Sequence, residues 1–303
     1  MTSDQAGSGD LDISHKSIKA LMKLHELLGI PSIELIEPTF ESLINEAYTD
    51  EILLETGTEA KLVINEKGWP ALFALKSGEN WRGCVFILRP PVVEVVEKFE
   101  EIDGDTVELD TETLMNSIRE YYMDLLCQDV PPAIEDFSPD RASKVKELIS
   151  EVWGNGAGEK CLDCGCGSGM GALILRDLGY SPVSYDNDAS LLHLGIESGR
   201  LKADESICID ARYASFYVPN CKYGLALMAG SISTHTAYIW KDIIEELIEQ
   251  CQNIIVTVES EQEAGIVKEW AELSGRKTKL MENERDGFYD HWVCSGIVLS
   301  ILQ

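Results

Sequence analysis

The chain has 303 residues, with 25 Lys+Arg against 53 Asp+Glu and a formal charge of −28 at pH 7. Phosphate backbones and anionic lipid surfaces are both held through basic residues, so nucleic acid and membrane are disfavoured as partners. A hydrophobic share of 45% excludes disorder for most of the chain, and the length suffices for two ordinary domains.

Residues 1–12 are polar and acidic, carry no basic-then-apolar leader pattern, and are expected to be disordered. Residues 14–28 read as an amphipathic helix with Ile18, Leu21, Met22, His25 and Leu28 on one stripe, ended by Gly29 and Pro31. A second helix is expected over 39–48, then β-like runs at 61–65, 71–75 and 84–88 separated by turns such as Lys67-Gly68 and Ser77-Gly78. Pro90 and Pro91 precede a helix at 92–99, residues 101–105 form an acidic turn, and a further helix covers 112–126. Residues 13–137 thus form an α+β domain without a motif tied to chemistry, suited to substrate selection, to covering a site or to dimerisation.

Ser138-Pro139-Asp140 is a helix start: a capping hydroxyl, a proline pre-set for the first turn, and an acid at the positive end of the dipole. From Lys160 onward, short apolar runs alternate with helices, the signature of a parallel sheet built from βαβ units. This places a domain boundary near 137, with 138–303 as the second domain. The longest apolar stretch, 293–302, is interrupted by Ser295, Gly296 and Ser300 and is too short to span a bilayer. Nine Cys is an odd count. Cys161, Cys164 and Cys166 crowd six residues where mutual bridging is geometrically implausible, so free thiols and a cytoplasmic protein are expected. Those three cysteines have no second Cys or His cluster to complete a metal site, and no metal is expected.

The segment Asp163-Cys164-Gly165-Cys166-Gly167-Ser168-Gly169 sits where a strand gives way to a helix. Glycines there let a ligand approach the backbone while the helix amides point at it. Gly167, Gly169 and Ala172 also satisfy the dinucleotide form Gly-x-Gly-x-x-Gly/Ala, and Asp186 lies where a ribose-binding acid is expected. Asp163 weighs against that ligand. A carboxylate leading directly into the turn repels a pyrophosphate and suits a ligand bearing positive charge.

Asp163-x-Gly165-x-Gly167-x-Gly169 resembles the first motif of class I S-adenosylmethionine-dependent methyltransferases. The resemblance covers residues 138–303 and implies a Rossmann-like, seven-stranded, mostly parallel sheet with an antiparallel C-terminal strand. It also implies an acid at the second strand end for the ribose hydroxyls, matched by Asp186 beside Asn187, and an acid at the third strand end for the adenine amine, matched by Asp210 with the Ala211 amide facing the ring. The fourth strand, 225–229, closes with Ala229 at the cofactor. S-adenosylmethionine is the implied cofactor, and the ligand should lie at the carboxyl ends of the strands, between the first and fourth.

After the fourth strand come Gly230-Ser231-Ile232-Ser233-Thr234-His235. His235 is the candidate general base if the acceptor holds a proton at neutral pH, or else a loop histidine bonded to backbone. Tyr238, Ser231 and Ser233 are weaker candidates. Members of this family that methylate planar amines often carry Asn/Asp-Pro-Pro-Tyr here. This chain reads Ala229-Gly230-Ser231-Ile232, which favours a small-molecule or protein side-chain acceptor over a nucleobase. Two alternatives remain open: an NAD(P)-dependent oxidoreductase, and a non-catalytic S-adenosylmethionine-binding subunit. Association into oligomers is compatible with either.

Overall fold

The computed structural model describes residues 23–298. The expected disorder of 1–12, most of the helix expected at 14–28 and the end of the last strand lie outside the described residues. The first helix is seen as α1 (Leu24–Leu27), ended by Gly29 with φ of +64°.

The N-terminal sheet contains β1 (Glu34–Leu35), β2 (Glu59–Ile64), β3 (Pro70–Ser77), β4 (Asn80–Val85) and β5 (Asp105–Glu108), in the order β1-β4-β3-β2-β5. The meander β2-β3-β4 is antiparallel, and β1 and β5 join its two edges in parallel. Alternation along the strands splits the apolar side chains between two faces. Leu62, Phe73 and Leu75 pack under α2 (Ala47–Leu54) and α3 (Val93–Ile102) together with Ile52 and Val95. Val63, Leu72 and Ala74 face the opposite way, onto Leu114 and Ile118 of α4 (Thr111–Asp129).

Three expectations change here. The β run expected at 84–88 is β4, which begins at Asn80 and ends at Val85. The helix expected at 39–48 is a 3-10 turn, Phe40–Ile44, capped by Thr39 and separated from α2 by the extended Asn45. The acidic turn expected at 101–105 is the end of α3, with Asp103 left-handed at φ 56°, followed directly by β5. β5 is mostly exposed and carries no apolar run, so nothing but its pairing with β2 marks it as a strand.

The C-terminal sheet has seven strands: β6 (Lys160–Cys164), β7 (Ser181–Asp186), β8 (Ser206–Cys208), β9 (Cys221–Ala226), β10 (Cys251–Val258), β11 (Arg276–Glu282) and β12 (Trp292–Val298). Their order is β8-β7-β6-β9-β10-β12-β11. β12 runs antiparallel to both its neighbours, whereas β6 to β10 pair in parallel. This is the expected mostly parallel sheet with its antiparallel C-terminal strand. α5 (Pro139–Trp153) and α6 (Met170–Asp177) cover one face through Val145, Leu148, Ile149, Ile174 and Leu175. The other face is covered by α8 (Ala237–Gln250) and α9 (Glu261–Leu273), through Ile244, Leu247 and Val267. Between β7 and β8 lies α7 (Ala189–Glu197). Ser138 caps α5 by accepting from the Arg141 amide at 3.3 Å, with Pro139 in the first turn, as its sequence requires.

The two sheets are joined through α4. Its Tyr122 hydroxyl donates to the Glu37 carbonyl at 2.9 Å and its Tyr121 hydroxyl accepts from the Leu35 amide at 3.0 Å, both in the N-terminal unit. It also packs against β8 and the short turn before it, so one apolar cluster runs from Leu72 and Leu114 through to Ile207 and Val256. The segment after α4 then crosses the start of the second unit. The Ala133 amide donates to the Ser190 carbonyl at 2.9 Å, and His193 Nδ1 lies 2.5 Å from the Val130 carbonyl.

Candidate functional site

Between β6 and β9 the chain leaves the sheet in opposite directions, and this opens a crevice at the strands' carboxyl ends. The turn after β6 fills it with backbone. Gly165, Gly167 and Gly169 have φ of +64°, +51° and +87°, conformations that side chains with a Cβ rarely adopt. Gly165 has open space where a Cβ would stand, whereas a Cβ on Gly169 would meet Leu201 at 2.6 Å. The first glycine therefore leaves room for a ligand, and the last permits packing.

Asp186, at the end of β7, accepts from the Gly167 amide at 2.8 Å through one oxygen and from the Asp188 amide at 2.9 Å through the other. Burial pushes its carboxyl above the usual range. Asp163 lies deeper, 1% exposed, beneath the turn. It accepts from the Ala172 amide and lies 3.5 Å from the Ser184 hydroxyl. Burial pushes its carboxyl up to about 7. Gly171 is glycine for the same reason: a Cβ there would lie 2.4 Å from an Asp163 oxygen.

Two adjoining clefts share Gly165, Asp186, Leu227 and Met228. One, of about 380 Å³, is bordered by Asn187, Asp210, Ala211, Ala229 and Trp240; the other, of about 260 Å³, by Asp163, Gly167, Asp136, Phe137 and Arg141. The structure thus brings Asp163, Gly165, Gly167, Asp186, Asn187, Asp210, Ala211 and Ala229 to one continuous crevice, with Gly169 in the turn behind it. His235 borders neither cleft. It is exposed in the turn before α8, its amide donating to Ser233 Oγ at 3.3 Å.

Asp210 is already engaged. Both its oxygens are held by the Arg212 guanidinium, with Nη2 at 2.5 Å, and this keeps its carboxyl below the usual carboxylate range. Its amide donates to Glu41 of the N-terminal unit at 2.8 Å. The Arg212 amide donates to the carboxylate as well, at 3.0 Å, so three N–H groups of one residue take up most of its acceptor sites.

Sequence reasoning passed over the other walls. Residues 136–138 cross the glycine turn: Ser168 Oγ donates to Asp136 at 2.6 Å, and Arg200 stacks on the Phe137 ring at 5.1 Å while pairing with Glu135 at 3.1 Å. Arg141 borders the smaller cleft but is paired with the fully buried Asp290 at 2.8 Å. Asp290 in turn accepts from Thr257, whose hydroxyl oxygen accepts the Met228 amide at 2.7 Å. Met228 is left-handed, φ 51°, at the mouth of both clefts. Only the capping motif before Arg141 hinted at any of this.

The seven-stranded, mostly parallel sheet with its antiparallel β12 is the one that the resemblance to class I methyltransferases implied. No family profile matches the chain, and no curated protein sequence matches it. Among solved structures it is similar to a protein of Pyrococcus horikoshii OT3, at 16% identity over 53% of this chain and 90% of that one, with a TM-score of 0.44. It is similar also to the magnesium protoporphyrin IX methyltransferase of Synechocystis PCC 6803 with bound SAM, at 12% identity over 63% and 98% (TM-score 0.43). A third is the precorrin-6y C5,15-methyltransferase of Geobacter metallireducens GS-15, at 11% identity over 57% and 95% (TM-score 0.42).

All nine cysteines are free, and burial raises the Cys164 thiol to about 12, which leaves it un-ionised at neutral pH. Among the described residues no group of three or more His, Cys, Asp or Glu is arranged to hold a metal ion. No helix among the described residues is long and apolar enough to cross a membrane.

Proposed function

We infer that the chain is an S-adenosylmethionine-dependent methyltransferase acting on a small molecule or a protein side chain. The observation that carries this reading is the buried Asp163 carboxyl beneath the glycine turn, bordering the same crevice as Asp186. A carboxyl at that place disfavours a pyrophosphate and favours a ligand whose reactive end is a sulfonium beside an ammonium, while Asp186 suits the ribose of either cofactor. The basic groups around the turn are themselves paired: Arg141 with Asp290, Arg200 with Glu135, and Arg176, whose charge reaches Asp163, with Glu205.

The fit of the cofactor can be followed residue by residue. The open Gly165 backbone admits close approach, Asp186 has lone pairs left for ribose hydroxyls, and Asp210 with the Ala211 amide borders the larger cleft, where the adenine belongs. When bound, S-adenosylmethionine supplies a methyl on an already good leaving group. The remaining work of the protein is to position the acceptor and exclude water. Met228, at the junction of the two clefts and anchored by Thr257, and Trp240 form the apolar wall for that task. His235 stands apart from this wall, and no histidine among the described residues borders either cleft.

Calorimetric titration with S-adenosylmethionine and, separately, NAD⁺ tests the cofactor assignment. Binding of NAD⁺ with none of S-adenosylmethionine establishes the oxidoreductase alternative instead. Transfer of labelled methyl into a cognate lysate distinguishes an enzyme from a silent binding subunit.

A further inference from the structure

A third cleft, of about 270 Å³, lies beside β8, between α4 and the Pro38–Glu41 segment. Phe40, Met123, Leu126 and Ile207 give it apolar walls. Two polar side chains border it with hydrogen-bonding groups unused. Arg119, on α4, is 5% exposed; its Nε has no partner, and one terminal nitrogen reaches only the Asn116 side-chain oxygen at 3.3 Å. Ser206, at the start of β8, is 1% exposed and its hydroxyl has no partner either.

A guanidinium buried without a carboxylate partner is costly, and among the described residues no ion pair relieves this one. The acid that acts on it most strongly, Asp204, does so only at a distance, and burial lowers the Arg119 side chain to about 10. Arg119 Nε–H and Ser206 O–H are both donors beside the same apolar cleft, so the group that satisfies them is an acceptor with negative charge. Glu41 and Asp129 stand at the rim and disfavour a dianion.

We propose that this cleft is a binding site for a small amphipathic monocarboxylate, its carboxylate on Arg119 and Ser206 and its hydrocarbon body against Phe40, Met123 and Leu126. The site is separate from the crevice at the glycine turn and does not depend on the transferase reading. The two have no lining residue in common, and the Asp210 amide, at the one, donates to Glu41, at the other.

Octanoate serves as the probe, titrated calorimetrically into the full chain, with octylamine as the same body bearing the opposite charge. Saturable binding of octanoate but not octylamine is expected, weakened about tenfold or more in Arg119→Gln and several-fold in Ser206→Ala. Absence of octanoate binding to the wild-type chain overturns the proposal. So does equal affinity for octylamine, or octanoate affinity unchanged in the variants. If Arg119→Gln does not fold, Ser206→Ala, which removes a single oxygen, decides the matter alone. S-adenosylmethionine titrated into the same samples reports the other crevice, so a failure there is read independently.

Discussion

Asp163 and Asp186 enter the same crevice with different duties. Asp186 is fixed by two backbone amides and still has acceptor capacity toward the cleft. Asp186→Ala is expected to weaken S-adenosylmethionine binding by the loss of a charge-assisted pair worth roughly 1.5–3 kcal/mol, about a tenfold to a hundredfold rise in Kd. Asp163 is buried and raised to about 7. A cationic ligand favours its ionised form, so binding releases a proton. Cofactor affinity should then climb as pH rises through about 7 and level off above it, with Asp163→Asn removing the slope. In the unliganded protein the sign is reversed. A carboxyl held above its unfolded value of about 3.9 keeps its proton when folded, so stability declines as pH rises from there toward about 7. Calorimetry across about pH 6 to 8 checks the first statement, and thermal melts over about pH 4 to 7 check the second. At the exposed His235, replacement by Ala is expected to leave both cofactor affinity and kcat unchanged; a fall in kcat alone identifies it as the proton acceptor.

At the scale of elements, what was legible in the sequence is what is encoded locally. Ser138-Pro139 marks a helix start because cap and proline act on their own turn. Asp163 to Gly169 marks a ligand turn because positive φ demands glycine at fixed positions. β5 was hidden because its residues are exposed and acidic, and only its pairing with β2 defines it. Residues that meet through the fold were hidden as well: Gly171 against Asp163, Arg212 on Asp210, and residues 136–138 across Ser168. The helix over 112–126 was evident, but nothing in it told that it serves two sheets. Because its Ile118 is fully buried in the cluster shared by both, Ile118→Ala is expected to cost about 2–5 kcal/mol. The two halves should still unfold together in denaturant, and a second transition appearing in the wild-type chain contradicts that coupling.

For the whole molecule, a net charge of −28 opposes the docking of a polyanion. Retention of RNA or DNA on the protein is therefore expected to be absent even at low salt, and a filter-binding assay checks it. The same charge is compatible with a cofactor that brings positive charge to an acidic crevice. The decisive measurement is calorimetric titration of the full chain with S-adenosylmethionine beside NAD⁺. Saturable binding of S-adenosylmethionine, weakened about tenfold or more in Asp186→Ala, is the expected result. Binding of NAD⁺ alone, or S-adenosylmethionine affinity untouched by Asp186→Ala, contradicts the assignment of the crevice.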